Sequence, residues 1–298
     1  MLHILIAGAL ALAAPQQTDT TFAVRSGGRL EVDNYGGSVT VRTWGRNEIR
    51  VQATHAQRTE VEIDQTGSTV SIDASAWNGN PEVVYVINVP RSFRVSIDGI
   101  NTDASVEDLD GDVMIETVEG DITVRNVTGR VAVESVSGFV RVEGVRGRVS
   151  ASSTNESIRL SGIVGEIDVK AVNGSISMLD IQSSNVSAET VNGAIALRST
   201  IRDGGNYALS TTNGEIVIAI PDGTNASFET STFSGRVEST MSLTLDRRKS
   251  GEQSFRIGNG SAHVALESFA GTVRLVKPAE LKDVTMSGQK NKNKNRDK

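Results

Sequence analysis

Glu116, Glu134, Glu189 and Glu267 recur at one position of a repeating pattern. Paired carboxylates of this kind are what polysaccharide-cleaving enzymes use to donate and accept protons. If Glu116 and Glu134 stood on stacked neighbouring strands they would lie about 5 Å apart. Ser152, Lys170 and Ser210 interrupt the row, and a solvated sheet face is the favoured reading. Arg141 and Arg159 make a second row. Glu116, Glu134, Glu189, Arg141 and Arg159 are therefore candidate surface-binding residues, not a catalytic set.

Other chemistry is thinly represented. Asp103, Glu107, Asp108, Asp110 and Asp112 form the densest acidic cluster, and calcium takes oxygen ligands of this type. Neither an EF-hand loop nor a glycine-rich calcium nonapeptide is present, so a solvated loop is expected and no metal site is assigned. The histidines are His3, His55 and His263. The contexts QATHAQR and SAHVALE hold no nucleophile elbow, and His263 should face outward beside an inward Val264. Glycine-rich turns lie between strands, not before helices, so they make poor phosphate cradles. The absence of cysteine removes disulfides, thiolate metal sites and cysteine nucleophiles. No catalytic residue and no cofactor is expected.

The elements that would position these residues come from an internal repeat. Gly111, Gly120, Gly129, Gly138 and Gly147 stand nine residues apart, Glu156 takes the next place, and Gly165 and Gly174 resume the series. Two kinds of nine-residue unit alternate, giving a period of 18. One kind reads VEGDITV, VSGFVRV, TNESIRL, VNGSISM, VNGAIAL and TNGEIVI, at spacings of 18, 18, 18, 19 and 21 residues. The other reads GDVMIETV, GRVAVESV, GRVSASST and GEIDVKAV, then loosens, with echoes near Gly235 and Gly271. Apolar and polar residues alternate within each unit, as in a strand with one buried face. The inward residues are Ile122/Val124, Val140/Val142, Ile158/Leu160, Ile176/Met178, Ile195/Leu197 and Ile216/Ile218 in the first kind. In the second they are Val113/Ile115, Val131/Val133, Val149/Ala151, Ile167/Val169, Val186/Ala188 and Tyr207/Leu209. Small residues from Thr117 to Thr211 mark a tight corner, and Asn155, Asn173, Asn192 and Asn213 fall at one register, where stacked coils would join them in a ladder.

Asn-Gly between alternating strands also fits a long antiparallel meander. A meander leaves one apolar face needing cover, and no amphipathic helix is evident to supply it. A solenoid closes over its own core, as a barrel also would, and the solenoid is the favoured reading. The expected fold is all-β, a single-domain β-solenoid (β-helix-like) with about 18–21 residues per coil. Residues 22–278 form it, with a less regular N-terminal part at 22–105 and repeats at 106–278. Residues 241–258 read as a longer loop or irregular coil.

Composition agrees with this. Aromatic content is 4%, leaving Val, Ile, Leu and Ala to build a narrow core, while Gly numbers 29 and Pro 5. The net charge of −6 argues against nucleic acid as a partner. Leu2–Ala14 has the length of a signal h-region with a small-x-small site at Ala11–Ala13, although no Lys or Arg precedes it, so residues 1–14 are expected to be a cleaved signal peptide. No later segment is apolar enough to cross a membrane. Lys290–Lys298 carries five basic residues and one acid, and residues 279–298 are expected to be a disordered Lys-rich tail, contact with an anionic envelope polymer being the alternative.

The opening GRLEVDNYGGSVTVRTW, the segment INVPRSFRVSI and the VNGSISM-type units together resemble a bacterial putative-adhesin family, a domain of unknown function, from about Phe22 to Val276. The resemblance implies β-solenoid-like stacks in exported proteins and supplies no catalytic residues. The expectation is an exported adhesin-like or scaffold protein, periplasmic, surface-bound or secreted, that is not an enzyme and binds envelope glycan, polymer or protein. The alternatives are a polysaccharide-active enzyme on the same fold, marked by a groove of converging carboxylates, and an envelope-stress or regulatory protein acting through a partner, marked by exposed apolar patches.

Overall fold

The structure, a computed structural model, describes residues 16–77, 79–241, 243–249 and 252–281. The expected signal peptide and the basic run 290–298 lie outside the described residues.

The chain winds as a β-solenoid, and one coil runs from Val131 to Arg148. It holds a strand at Val131–Ser137, a corner at Gly138, a second strand at Val140–Glu143, and a short third side around Arg146. Each side pairs in parallel with the same side of the coils before and after. Val131 sits between Val113 and Val149, Val140 between Ile122 and Ile158, and Arg146 between Thr128 and Val164. Ladder neighbours are thus one full coil apart and parallel, which is incompatible with a meander of nine-residue hairpins.

Both expected sets of inward residues are buried, at 4% exposure or less. Their Val, Ile and Leu side chains fit the pleated surface, and the apolar faces of the two sheets pack against each other. A third inward row was not read from the sequence: Leu109, Val127, Val145, Ile163 and Ile181 close the core from the short side. Each except Ile163, which Val164 follows, is a single apolar residue between polar or glycine neighbours, so the row produces no alternating stretch.

The nine-residue glycine series resolves into two corners. A Cβ built at Gly138 would run into the Gly120 carbonyl, and one at Gly147 into that of Gly129. Gly120, Gly129, Gly147 and Gly165 also have φ between +129° and +150°, a region that side chains avoid. The small corner residues are buried, and several donate to carbonyls of the preceding coil, as Thr190 Oγ1 does to Gly174 O at 2.9 Å and Thr211 Oγ1 to Gly193 O at 3.0 Å. The asparagine ladder is present. Asn173 Nδ2 donates to Asn155 Oδ1 (3.2 Å), Asn192 Nδ2 to Asn173 Oδ1 (2.9 Å) and Asn213 Nδ2 to Asn192 Oδ1 (2.9 Å).

Coil order departs from chain order at both ends. Near the N-terminus, Arg29–Trp44 lies between Glu82–Pro90 and Arg94–Glu107. Near the C-terminus, Ala262–Ala270 lies between Asn206–Asn213 and Ala226–Thr232, so the last coil of the chain is inserted beneath the one before it. Antiparallel strands cover the ladder ends: Gln16–Ala23 on Glu48–His55, and Glu252–Ile257 on Ala226–Thr232. The expected loop at 241–258 is a hairpin, Thr244–Lys249 paired with Glu252–Ile257. Its charged run Asp246–Lys249 suits an edge strand, where charge discourages further pairing, and that composition hid its extended character.

Candidate functional site: an exposed row along one sheet

The outward residues of the first sheet stack in register. From the N-terminal end the row is Asp33, Asp98, Glu116, Glu134, Ser152, Lys170, Glu189, Ser210 and Glu267. Glu116 and Glu134 are direct neighbours, whereas Glu189 is separated from them by Ser152 and Lys170. Asp73 extends the row beyond Asp33, one residue past the paired Val32 and Ile72. Arg141 and Arg159 are also neighbours, but they stand on the second sheet, so the glutamates and arginines do not share a surface. Arg141 lies over the Phe139 ring at 5.5 Å and 3.8 Å from Glu143. Partial burial, and then Arg141, lower the affinity of the Arg159 guanidinium for its proton, with Glu143 opposing.

A second row, two residues along the same strands, was missed. Tyr35, Ile100, Val118, Val136, Thr154, Val172, Val191, Thr212, Phe269 and Phe233 occupy equivalent positions from one end of the solenoid to the other. All the large apolar members are exposed, Phe233 at 80% and Phe269 at 57%. The two phenylalanine rings stack at 4.9 Å with 9° between their planes. The signal was in the sequence: the leading Val of VEGDITV, VSGFVRV, VNGSISM and VNGAIAL stands one residue past the inward corner position, which turns it outward.

The two rows enclose a groove of about 500 Å³ at the N-terminal end. Asp73, Asp33, Asp98, Glu116 and Glu134 line one side, and Tyr35, Ile100, Val118 and Val136 the other. A smaller recess of about 230 Å³ lies at the opposite end, against Thr212, Phe233, Phe269 and Glu267. Desolvation, followed by the charges of Asp98, Asp73 and Glu31, raises the Asp33 carboxyl above the ordinary aspartate range. Between the ordinary aspartate range and the raised value, the folded chain therefore holds a proton at Asp33 more tightly than the unfolded chain does. This stabilising contribution is full in acid and fades as pH rises from about 4 through the raised value. Asp33→Asn is expected to raise the melting temperature at pH 7 by roughly 1–2 °C and to leave it unchanged at pH 3, as calorimetry at the two pH values would show.

The acidic cluster at the entry to the repeat is dispersed among structural contacts. Asp103 Oδ1 accepts from Asp121 N at 2.8 Å, Asp112 Oδ1 accepts from Arg130 N at 2.9 Å, and Arg91 Nε donates to Asp110 Oδ2 at 2.7 Å. Glu107 pairs with Arg125 at 3.0 Å, and Asp108 Oδ1 accepts from Asn126 Nδ2 at 3.0 Å. Among the described residues no three His, Asp or Glu side chains converge as a metal site. His55 is buried, with Nε2 3.1 Å from Thr18 Oγ1, and His263 is exposed.

A continuous parallel ladder closed over an aliphatic core, with outward residues repeated coil by coil, defines a β-solenoid of the repeat-built class. Residues 28–276 match the model of the Toastrack DUF4097 family, and the chain belongs to that family. Three solved structures are similar at low identity. One is described as a putative adhesin from Bacteroides fragilis (14% identical, 88% of this chain and 98% of that chain, TM-score 0.41). Another is a putative lipid binding protein from Parabacteroides distasonis (11%, 89% and 98%, TM-score 0.43). The third is a putative cell adhesion protein from Clostridium sporogenes (10%, 88% and 99%, TM-score 0.24). No protein of curated description is significantly similar to the chain. Among the described residues no helix is long and apolar enough to cross a membrane.

Proposed function

We propose that this chain is an exported, non-catalytic, adhesin-like module of the bacterial envelope that binds an extended glycan, envelope polymer or protein along the first sheet. The observation that carries the reading is the exposed apolar row from Tyr35 to Phe233, repeated coil after coil beside a row of polar and acidic residues. An exposed apolar patch of such length is uncommon on a surface without a partner. A row that repeats at the strand spacing of about 4.8 Å suits a long ligand lying across the strands.

The test is a binding assay of the whole chain against isolated envelope, peptidoglycan and a glycan panel, beside the variant Val118→Thr, Val136→Thr, Val172→Thr, Val191→Thr. Threonine already stands in this row at Thr154 and Thr212, so the fold should tolerate the exchange. Saturable binding by the wild type, weakened about tenfold or more in the variant, is the expected result; a drop of that size corresponds to about 1.4 kcal/mol. Equal binding by both chains would remove the row from the site.

One observation favours a second reading. Glu116 and Glu134 are adjacent and line a groove, as a polysaccharide-active enzyme would require. Against it, parallel in-register strands point both carboxylates the same way from one sheet, whereas glycoside cleavage needs two groups flanking the scissile bond. Loss of glycan hydrolysis in Glu116→Gln would favour the enzyme.

A further inference from the structure

Six acids stand at one position of six adjacent strands. Glu62 pairs in register with Asp73, and Asp33, Asp98, Glu116 and Glu134 follow along the groove. Elsewhere on the solenoid arginines interleave with the acids. Arg125 bridges Glu107 and Glu143 at 3.0 and 3.1 Å, and Arg198 meets Asp180 at 3.0 Å. Among the described residues none of the six is in an ion pair. Like charges directly opposite one another on neighbouring strands destabilise a sheet. Part of that cost shows at Asp33, where the charges of Asp98 and Asp73 add to desolvation in raising the carboxyl. Asn34, which also lines the groove, is buried at 3% exposure. Its Nδ2 donates to Thr102 Oγ1 (3.2 Å) and Val83 O (3.4 Å), while its Oδ1 has no partner.

The acids lie in a line, not around a point, and among the described residues no three converge as a metal site. They suit a ligand whose own charges lie in a line. The geometry points to a polysaccharide with free amino groups as the ligand of this groove. The inference rests on the proposed binding along the first sheet, and it names the chemistry selected at one end of that surface. Strands repeat about every 4.8 Å, so six acids span about 24 Å. With bond lengths near 1.5 Å, a sugar ring and its linking oxygen advance about 5 Å. Amines on every ring, or on one side of every second ring, then recur at about one or two strand spacings and stay in step with the carboxylates. An extended basic peptide turns alternate side chains to one side about 6.6 Å apart, so it falls out of step by about 2 Å at each strand.

The opposite wall suits the same ligand. A sugar ring has C–H faces as well as polar edges, so its faces can rest on Tyr35, Ile100, Val118 and Val136 while its amines meet the acids. Ammonium–carboxylate contacts are charge-assisted hydrogen bonds. Asn34 Oδ1 is a further acceptor, one that an amine or hydroxyl of the ligand would complete. Past Glu134 the row changes to Ser152 and Lys170, so a cationic chain is favoured at the N-terminal end and opposed beyond it. Acetylation of the amines removes the charge and leaves the ring faces unchanged, which makes it the discriminating change in the ligand.

The test is calorimetric titration of the whole chain with the hexamer of glucosamine and with its fully N-acetylated counterpart. It is run at about pH 5.5, where the amines hold their protons and ordinary carboxylates do not. The glucosamine hexamer is expected to bind at least about tenfold more tightly than the acetylated one. Its affinity should fall roughly tenfold, the loss of several exposed ion pairs, in Asp98→Asn, Glu116→Gln, Glu134→Gln. It should hold in Asp222→Asn, which removes an exposed acid outside the groove. It should weaken in 1 M salt, where screening acts over about 3 Å. Equal binding of the two hexamers, or binding unchanged in the triple variant, would overturn the inference and leave glycan binding by the sheet standing. Hexalysine binding as tightly as the glucosamine hexamer would overturn it too, by making the groove a general trap for cations. Absence of binding by both hexamers would also sink it, and the envelope and peptidoglycan assay would then decide the broader reading separately.

Discussion

Gly138→Val is expected to abolish soluble folded chain, or to cost more than about 4 kcal/mol where folded chain is recovered. The reason is the closeness of successive coils at the corner between the two sheets. A Cβ at Gly138 meets the Gly120 carbonyl carbon and oxygen, held by the backbone pairing of the neighbouring coils, and the Ser135 hydroxyl. The neighbouring backbone cannot withdraw without breaking parallel pairs on both sheets. In a stack whose stability comes from contacts between neighbouring coils, a break in the middle separates the two halves. Gly204→Ala is the matched control. Gly204 also has a positive φ, +71°, but nothing stands within 4 Å of its built Cβ, so only the backbone preference is lost, about 1 kcal/mol. Denaturant unfolding of the two variants separates crowding from conformational cost.

Ile163→Ala is expected to cost about 2–4 kcal/mol. Ile163 is fully buried on the short third side, between Val145 and Ile181 in the adjacent coils. The flanking bridges through Val164 to Arg146 and Gln182 hold the backbone in place, so the space left by three carbon atoms cannot close by collapse. The measurement is the shift of the urea midpoint at unchanged slope. A cost below about 1 kcal/mol would mean that the third side is loosely packed and that two sheets alone make the core.

These two residues also mark what could be read before the structure. The glycine series and the strand alternation are properties of single residues at fixed spacing, so the coil, its period and its two main inward rows were legible. The third row was not, because one inward side chain per coil leaves no periodic trace beyond the 18-residue repeat itself. Coil order at the ends was not legible either. The echoes at Gly235 and Gly271 identify two coils, but only strand pairing reveals that 262–276 inserts before 226–239. For the site, the acidic row was visible at Glu116, Glu134 and Glu189. Its extension through Asp98, Asp33 and Asp73 was hidden because those residues lie in less regular coils and, for Asp33 and Asp73, far away in sequence. The apolar row escaped because an outward Val resembles an inward one until its parity is counted from the corner.

The measurement that tests the proposed role most directly is binding and turnover followed together on one sample, with the whole chain, isolated peptidoglycan and a panel of envelope glycans. The expected result is saturable binding to at least one of these with no soluble fragments released over prolonged incubation, the binding being weakened by the four Val→Thr exchanges. Release of fragments that stops in Glu116→Gln or Glu134→Gln would contradict the binding-module account and make the groove an active site.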